Sequence, residues 1–511
     1  MNKSVLINTI SSRERFRDAY FLNKDPIFKD RLLWRAQTFR HLVHLVPGET
    51  ILEIGCGKCL FTNELYHVSK GKNPITAVTF CEEIGRPSNL PTDIDFFCSD
   101  QFPGILKGKT FDYIVVTDLL DKRNCSELLQ ILYEFLRPGG QLLFYESNPW
   151  NPFLKLKRLF SLLRTNKDHR NLLNRPQLYE LISAVGFTRV FVVFNDFVYS
   201  PLSSGLIWAL RNLSILLENA PFIRIFSGSI LIHAQKPPHV IEKPTVSLFE
   251  HENLKGRISV VIPCHNEEMN INKMINGLLN YYDDYLKEVI LVDDNSTDGT
   301  RAILENLSAK DSRIKPIFRR PPNGVGLALK DGFKVASGDY ILSMDCDFQH
   351  LLPELKDLFD AAAEGYDLVT GSRFSKHSVL LNYPFMKILA NRGFHFIAHF
   401  ILWRRFRDLT NNLKLIKREV LNQLILTQDG FAINAEVGFQ PLVMGCSIKE
   451  VPISWINRTP DMGVSSFQLV RVGGGYWTVL FQLLLRNVFH AGAYNKIKTI
   501  GKNRATVRQD N

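Results

Sequence analysis

Residues 340–354 read YILSMDCDFQHLLPE. An apolar run from Tyr340 to Met344 stops at two carboxylates one residue apart, Asp345 and Asp347, and Pro353 then opens a helical pattern. In an extended strand, residues i and i+2 point to the same side. Where such a strand gives way to a loop at a sheet edge, two carboxylates converge, and they repel unless a cation sits between them. Oxygen-only ligands of this kind suit Mg²⁺ or Mn²⁺. The stretch therefore predicts a metal site that holds the pyrophosphate of a sugar nucleotide; two solvated aspartates at a strand end are the plain alternative.

The same design recurs upstream. ISVVIPCHNEE begins with an apolar strand, 258–262, stopped by Pro263, with Asn266, Glu267 and Glu268 opening a helix. KEVILVDDNSTDGT has a strand at 289–292, then Asp293 and Asp294, then Ser296 and Asp298 as helix-capping residues. Several carboxylates thus fall along one predicted sheet edge, where a nucleobase and its ribose diol need acceptors; helix capping is the other reading of Asp293 and Asp294. A glycine-bearing loop then feeds a helix over 326–336, and DLVTGSR, 367–373, is a strand ending in the cation Arg373. Residues 386–407 (MKILANRGFHFIAHFILWRRFR) mix aromatics with Arg and Lys. That mixture predicts a helix at a membrane interface beside an acceptor site.

In these blocks residues 257 to about 470 resemble a family 2 glycosyltransferase of the GT-A fold, most like the dolichyl- and polyprenyl-phosphate sugar synthases. The resemblance is carried by VVIPCHNEE, VDDNSTDGT, GDYILSMDCDFQH, LVTGSR, Asn391-Arg392, Asp408-Leu409-Thr410 and EVPISW through to Arg458. It implies that Pro263, Glu267, Asp293 and Asp294 bind the nucleoside and that Asp345, Asp347 and Gln349 hold a divalent metal and the diphosphate. Arg373 and Arg458 would meet phosphates or the acceptor, and transfer would be inverting. A phosphate acceptor is already ionised and needs little base help, whereas a sugar hydroxyl needs a general base, for which Asp408 is the candidate; orienting a loop is its other reading. The chain departs from the family pattern in two places: Asn411-Asn412-Leu413 follows Thr410 where the family has Ser-Gly-Phe, and Ser465-Ser466 replaces a Ser-Lys pair.

The first half is a second α/β pattern. ETILEIGCGKCLFTNEL gives a strand over 51–54, a turn at Gly55 and Gly57, and a helix start whose N–H groups and close backbone suit a ligand. Strands follow at 75–80, 94–98 (ending at Asp100), 111–116 and 141–145, with a helix over 126–136. This alternation predicts a doubly wound sheet with ligands at the strands' carboxyl ends. LEIGCG, Asp100, FDYIVV and LRPGGQLLF resemble a class I S-adenosylmethionine-dependent methyltransferase over roughly residues 30–235. The resemblance implies that Glu53, Gly55 and Gly57 line the methionine and ribose of S-adenosylmethionine and that Asp100 meets the adenine. Cys59 stands where the family has its third loop glycine, and Thr79 where an acid clamps the ribose.

The expected fold class is thus α/β: two doubly wound domains, a Rossmann-like methyltransferase fold and then a GT-A fold. Boundaries are set at 1–235 (with a helical lead-in), a proline-bearing linker at 236–256, and 257–511 with a basic tail. The 511 residues carry a net charge of +11, which favours anionic lipid or phosphate partners; no nucleic-acid-binding signature accompanies it. The eight scattered cysteines fit a reducing cytosol, and Cys56 and Cys59 form only half a redox or zinc motif. There is no signal-peptide core, and the nearest apolar run, 472–485, falls short of the roughly 20 residues a spanning helix needs. A cytoplasmic protein touching the inner face of a membrane follows. Three functional readings stand: a glycosyltransferase that also methylates, a glycosyltransferase whose methyltransferase-like half is a docking module, and a non-catalytic nucleotide-sugar sensor.

Overall fold

The computed structural model describes residues 3–22, 26–81, 84–98, 102–123, 125–155, 171–199, 204–238, 246–347, 352–375, 377–381, 383–456, 469–498 and 507–509. The chain forms two units that divide near residue 240.

The first unit is built on β1 (Ile51–Ile54), β2 (Ile75–Thr79), β3 (Asp95–Cys98), β4 (Phe111–Thr117), β5 (Leu136–Ser147), β6 (Thr188–Asn195) and β7 (Ser229–Gln235), ordered β3-β2-β1-β4-β5-β7-β6. The first five lie parallel, and β7 enters antiparallel between β5 and β6. β1, β2 and β4 are buried at every position, as continuous apolar runs in a sheet covered on both faces require. The lead-in is two helices, Lys3–Phe21 and Pro26–Leu42, with the break near Pro26.

The second unit contains β8 (Ile258–Cys264), β9 (Leu286–Asp293), β10 (Ile314–Phe318), β11 (Tyr340–Ser343), β12 (Leu368–Ser372), β13 (Val379–Leu381), β14 (Lys414–Lys417), β15 (Ile448–Pro452), β16 (Ser454–Ile456) and β17 (Val507–Gln509). Its main sheet runs β10-β9-β8-β11-β14-β12-β15-β17, and β13 pairs with β16. β14 is antiparallel to both its neighbours, so β8, β9, β11 and β12 all point the same way and end on one edge. β8 does not stop at Pro263, as expected, but runs through it. Its pairing with β11 ends at Val261, so the proline's missing N–H faces a side that has no ladder partner left to lose. The helix Val325–Val335 lies tight on this sheet: a Cβ on Gly332 would sit 2.4 Å from Val261 Cγ1.

Candidate functional site

Four strand ends bring the predicted acids together. Pro263, Glu267, Asp294, Asp345, Asp347 and Arg373 all line one cavity of about 740 Å³. Asp293 takes the capping role instead, accepting from the Ser296 N–H at 3.0 Å. Asp294 pairs with Arg319 and accepts from the Gly324 N–H at 2.6 Å, which ties the glycine loop to the end of β9. Glu267 accepts from Asn270 Nδ2 at 2.5 Å. Asp100, Gln349 and Arg458 lie outside the described residues.

Asn412 Nδ2 donates to Asp345 Oδ1 at 2.6 Å. The other end of that amide, Asn412 Oδ1, is buried with no hydrogen-bond partner. The Asp345 and Asp347 carboxylates are oxygen donors of the kind a hard divalent cation takes, and an orphaned acceptor lies on the side chain fastened to one of them. Asn412 was noticed in the sequence only as a departure from a family glycine; its role at Asp345 emerges from 67 residues away.

Asp408, the candidate general base, is held in a buried ion pair. It is fully buried, and Arg373 grips it with Nε to Oδ2 at 2.7 Å and Nη2 to Oδ1 at 2.9 Å. Burial alone would raise this carboxyl, but Arg373 outweighs it and holds the group well below the usual carboxylate range. With both oxygens bound by Arg373, the carboxylate positions that guanidinium. Arg373 also donates to Tyr383 Oη at 3.2 Å, so it reaches the cavity as half of an ion pair. Glu450 accepts from the Arg407 and Asp408 N–H groups at 2.9 and 2.6 Å and fixes the loop, a role that no local pattern announced. Nearby, burial pushes Lys414 down to about 7, and its Nζ donates to the Asn411 carbonyl.

The far end of the cavity is apolar. The helices Phe385–Leu402 and Leu469–Phe489 meet there, with the Phe394 ring 5.7 Å from Tyr476 and 5.5 Å from Trp477, both edge-on. The first helix also exposes Met386, Leu389, Phe396 and Phe400, followed by Trp403 at 84% exposure; the second exposes Trp477, Phe481 and Phe489. Among the described residues, no helix is long and apolar enough to cross a membrane.

In the first unit the glycine loop is packed against side chains of the same chain. Glu53 is buried and accepts from Thr62 Oγ1 at 2.6 Å, and desolvation pushes its carboxyl up to about 7. Gly55 packs against Leu119, and Gly57 (φ +53°) lies so near Asp18 that a Cβ there would sit 2.2 Å from Oδ2. Both glycines face protein atoms of this chain.

A mixed, mostly parallel sheet with strand-end acids around a D-x-D cavity defines a nucleotide-sugar glycosyltransferase class of fold, joined here to a methyltransferase-type sheet. The comparisons give the family. The glycosyl transferase family 2 profile matches residues 259–425 and a methyltransferase domain profile matches residues 30–191. The chain is 30% identical over 216 residues to polyprenol monophosphomannose synthase of Mycolicibacterium smegmatis, covering 41% of this chain and 80% of that one. It is 31% identical over 203 residues to dolichol-phosphate mannosyltransferase of Pyrococcus furiosus, covering 39% of this chain but only 56% of that relative's length. Two solved structures align at lower similarity. Glucosyl-3-phosphoglycerate synthase from Mycobacterium tuberculosis, in complex with Mn²⁺ and UDP-glucose, is 20% identical with a TM-score of 0.34, over 48% of this chain and 84% of that one. A SAM dependent methyltransferase from Archaeoglobus fulgidus is 18% identical with a TM-score of 0.31, over 43% and 98%. The chain belongs to glycosyl transferase family 2 and carries a methyltransferase domain ahead of its glycosyltransferase domain.

Proposed function

We propose that the second unit moves a sugar, with inversion, from a nucleotide-sugar donor to an acceptor that is a lipid phosphate of the polyprenyl type; a saccharide is the other acceptor class. The observation that carries this reading is the shape of the cavity, acidic at the D-x-D end and aromatic at the other, where two helices expose apolar side chains. The curated relatives named for mannose transfer to dolichol phosphate and polyprenol support the same acceptor class.

Each end then has its task. Asp294 and Glu267 accept hydrogen bonds from the donor's nucleoside, and Asp345 and Asp347 would hold a divalent cation, with Asn412 fixing Asp345. Such an ion neutralises charge on a departing diphosphate and orients it. Arg373, kept in place by Asp408, and Lys387 face the acceptor phosphate across the cavity. An ionised phosphate oxygen attacks without deprotonation, which agrees with Asp408 being committed to Arg373. The prenyl tail leaves along the helix Phe385–Leu402, whose exposed aromatics sit in the headgroup layer of a membrane's inner face.

A screen of UDP- and GDP-sugars with Mn²⁺ or Mg²⁺ against polyprenyl phosphate tests the reading. Transfer should require metal and vanish in Asp347→Ala. Donor binding with no transfer to any acceptor would favour the sensor reading instead. For the first unit, the filled glycine loop favours the docking-module reading over methylation by the chain as it stands.

A further inference from the structure

The helix Lys3–Phe21 lies across the carboxyl ends of β1, β2 and β4, the crevice where a doubly wound sheet takes its ligand. Glu14, with no exposed surface, accepts from the Gly57 N–H at 3.2 Å and from the Phe80 N–H at 2.9 Å, bridging the ends of β1 and β2. Asp18 accepts from the Lys58 N–H at 2.7 Å. Arg17 donates to the Thr117 carbonyl at 3.2 Å and its hydroxyl at 3.0 Å, and Arg13 donates to the Leu119 carbonyl at 2.7 Å while pairing with Asp121.

Two features set this apart from ordinary packing of a helix on a core. Backbone N–H groups between a glycine turn and a helix start, here that of Leu60–Val68, are donors of the kind that receive an anionic or hydroxyl-bearing ligand, and carboxylates of the same chain have taken them. The helix also sinks Arg13, Glu14, Arg17 and Asp18 into the crevice, whereas Ile10 is its one residue in the hydrophobic core cluster among those described. Buried ionised groups are costly unless fully paired. A cluster of two carboxylates and two guanidinium groups reproduces the mixed charge of an amino-acid ligand. S-adenosylmethionine does not fit this arrangement, because Glu14 and Asp18 already hold the loop N–H groups that its polar atoms would need.

We propose that the helix Lys3–Phe21 is a built-in plug whose Glu14 and Asp18 carboxylates occupy the methyl-donor cradle, so that an adenosyl ligand binds the first unit only when the helix is displaced. The plug is separate from the sugar-transfer cavity, so its test stands apart from that of the proposed function.

The test is calorimetric titration of the full chain with S-adenosylhomocysteine, which needs no turnover. Wild type is compared with Glu14→Gln/Asp18→Asn, which removes the stand-in charges, and with Ile10→Ala, which loosens the helix without touching the cradle. Either variant should bind at least tenfold more tightly than wild type. Ligand should also speed amide exchange across residues 7–19 of the wild-type helix. Ile10→Ala keeps the test open if the double variant fails to fold. Wild-type binding as tight as both variants, or tighter, overturns the proposal and makes Glu14 a ligand contact or a bystander. Absence of binding in all three overturns it too, because an unplugged cradle should accept the ligand.

Discussion

Replacing Asp408 by Asn separates a positioning carboxylate from a catalytic one. The substitution keeps size and shape but deletes the charge that Arg373 grips through two bonds of 2.7 and 2.9 Å in a buried setting. Burial alone would depress the Arg373 guanidinium; Asp408 outweighs it and holds the group above its ordinary range. Without that partner a buried cation is left uncompensated, which costs about 3–5 kcal/mol, with Asn's remaining hydrogen bonds placing the loss toward the lower figure. For a unit of this size each kcal/mol moves Tm by about 2–4 °C, so the second unit should melt roughly 6–20 °C lower. Scanning calorimetry of the full chain reads this directly, with the first unit's transition as an internal control. Adding Arg373→Met to the same variant should recover part of the loss, because removing both charges costs less than stranding one. Asp408→Asn with unchanged Tm and a rate of sugar transfer lowered by about 100-fold or more would refute the reasoning and restore Asp408 as a base.

Other outcomes follow from the same geometry. Asn412→Gly removes a charge-assisted bond to Asp345, worth about 1.5–3 kcal/mol, and should weaken Mn²⁺ binding by roughly 10- to 100-fold while lowering the second unit's Tm by about 3–12 °C. Asp196 is buried between Arg31 and Arg211; burial opposes its charge, but the two arginines hold its carboxyl well below its ordinary value. Asp408 is depressed in the same sense, so the stability each contributes is present above the unfolded carboxylate's pKa near 3.8 and is lost as pH falls through the lower folded values. Urea unfolding between pH 6 and pH 3 (roughly the range where unfolded carboxylates titrate) should show both units weakening toward acid. Phe400→Asp combined with Trp403→Asp should reduce sedimentation with anionic liposomes several-fold without altering nucleotide-sugar binding, since both side chains are exposed outside the donor end.

What the chain determines by itself is whatever depends on neighbours a few residues apart. Apolar runs ending in acids, glycine turns before helices and the two-residue spacing of Asp345 and Asp347 are local, and from them two sheets joined by a linker at 236–256 are expected, with Glu267, Asp294, Asp347 and Arg373 along one sheet edge; these four line one cavity. The sheet topology then makes those ends coincide, because β8, β9, β11 and β12, which carry them, all run the same way, with the antiparallel β14 set between β11 and β12. Tertiary structure decided everything that turns on a partner far along the chain. Asp408 reads as a candidate base until Arg373, 35 residues earlier, takes its carboxylate. Asp293 and Asp294 look alike in sequence, yet one caps a turn while the other faces the cavity. The glycine loop reads as a cofactor cradle until Glu14, 43 residues upstream, is found on its N–H. A carboxylate's role is set by the charge and donors packed against it, and sequence spacing does not encode which distant group arrives there.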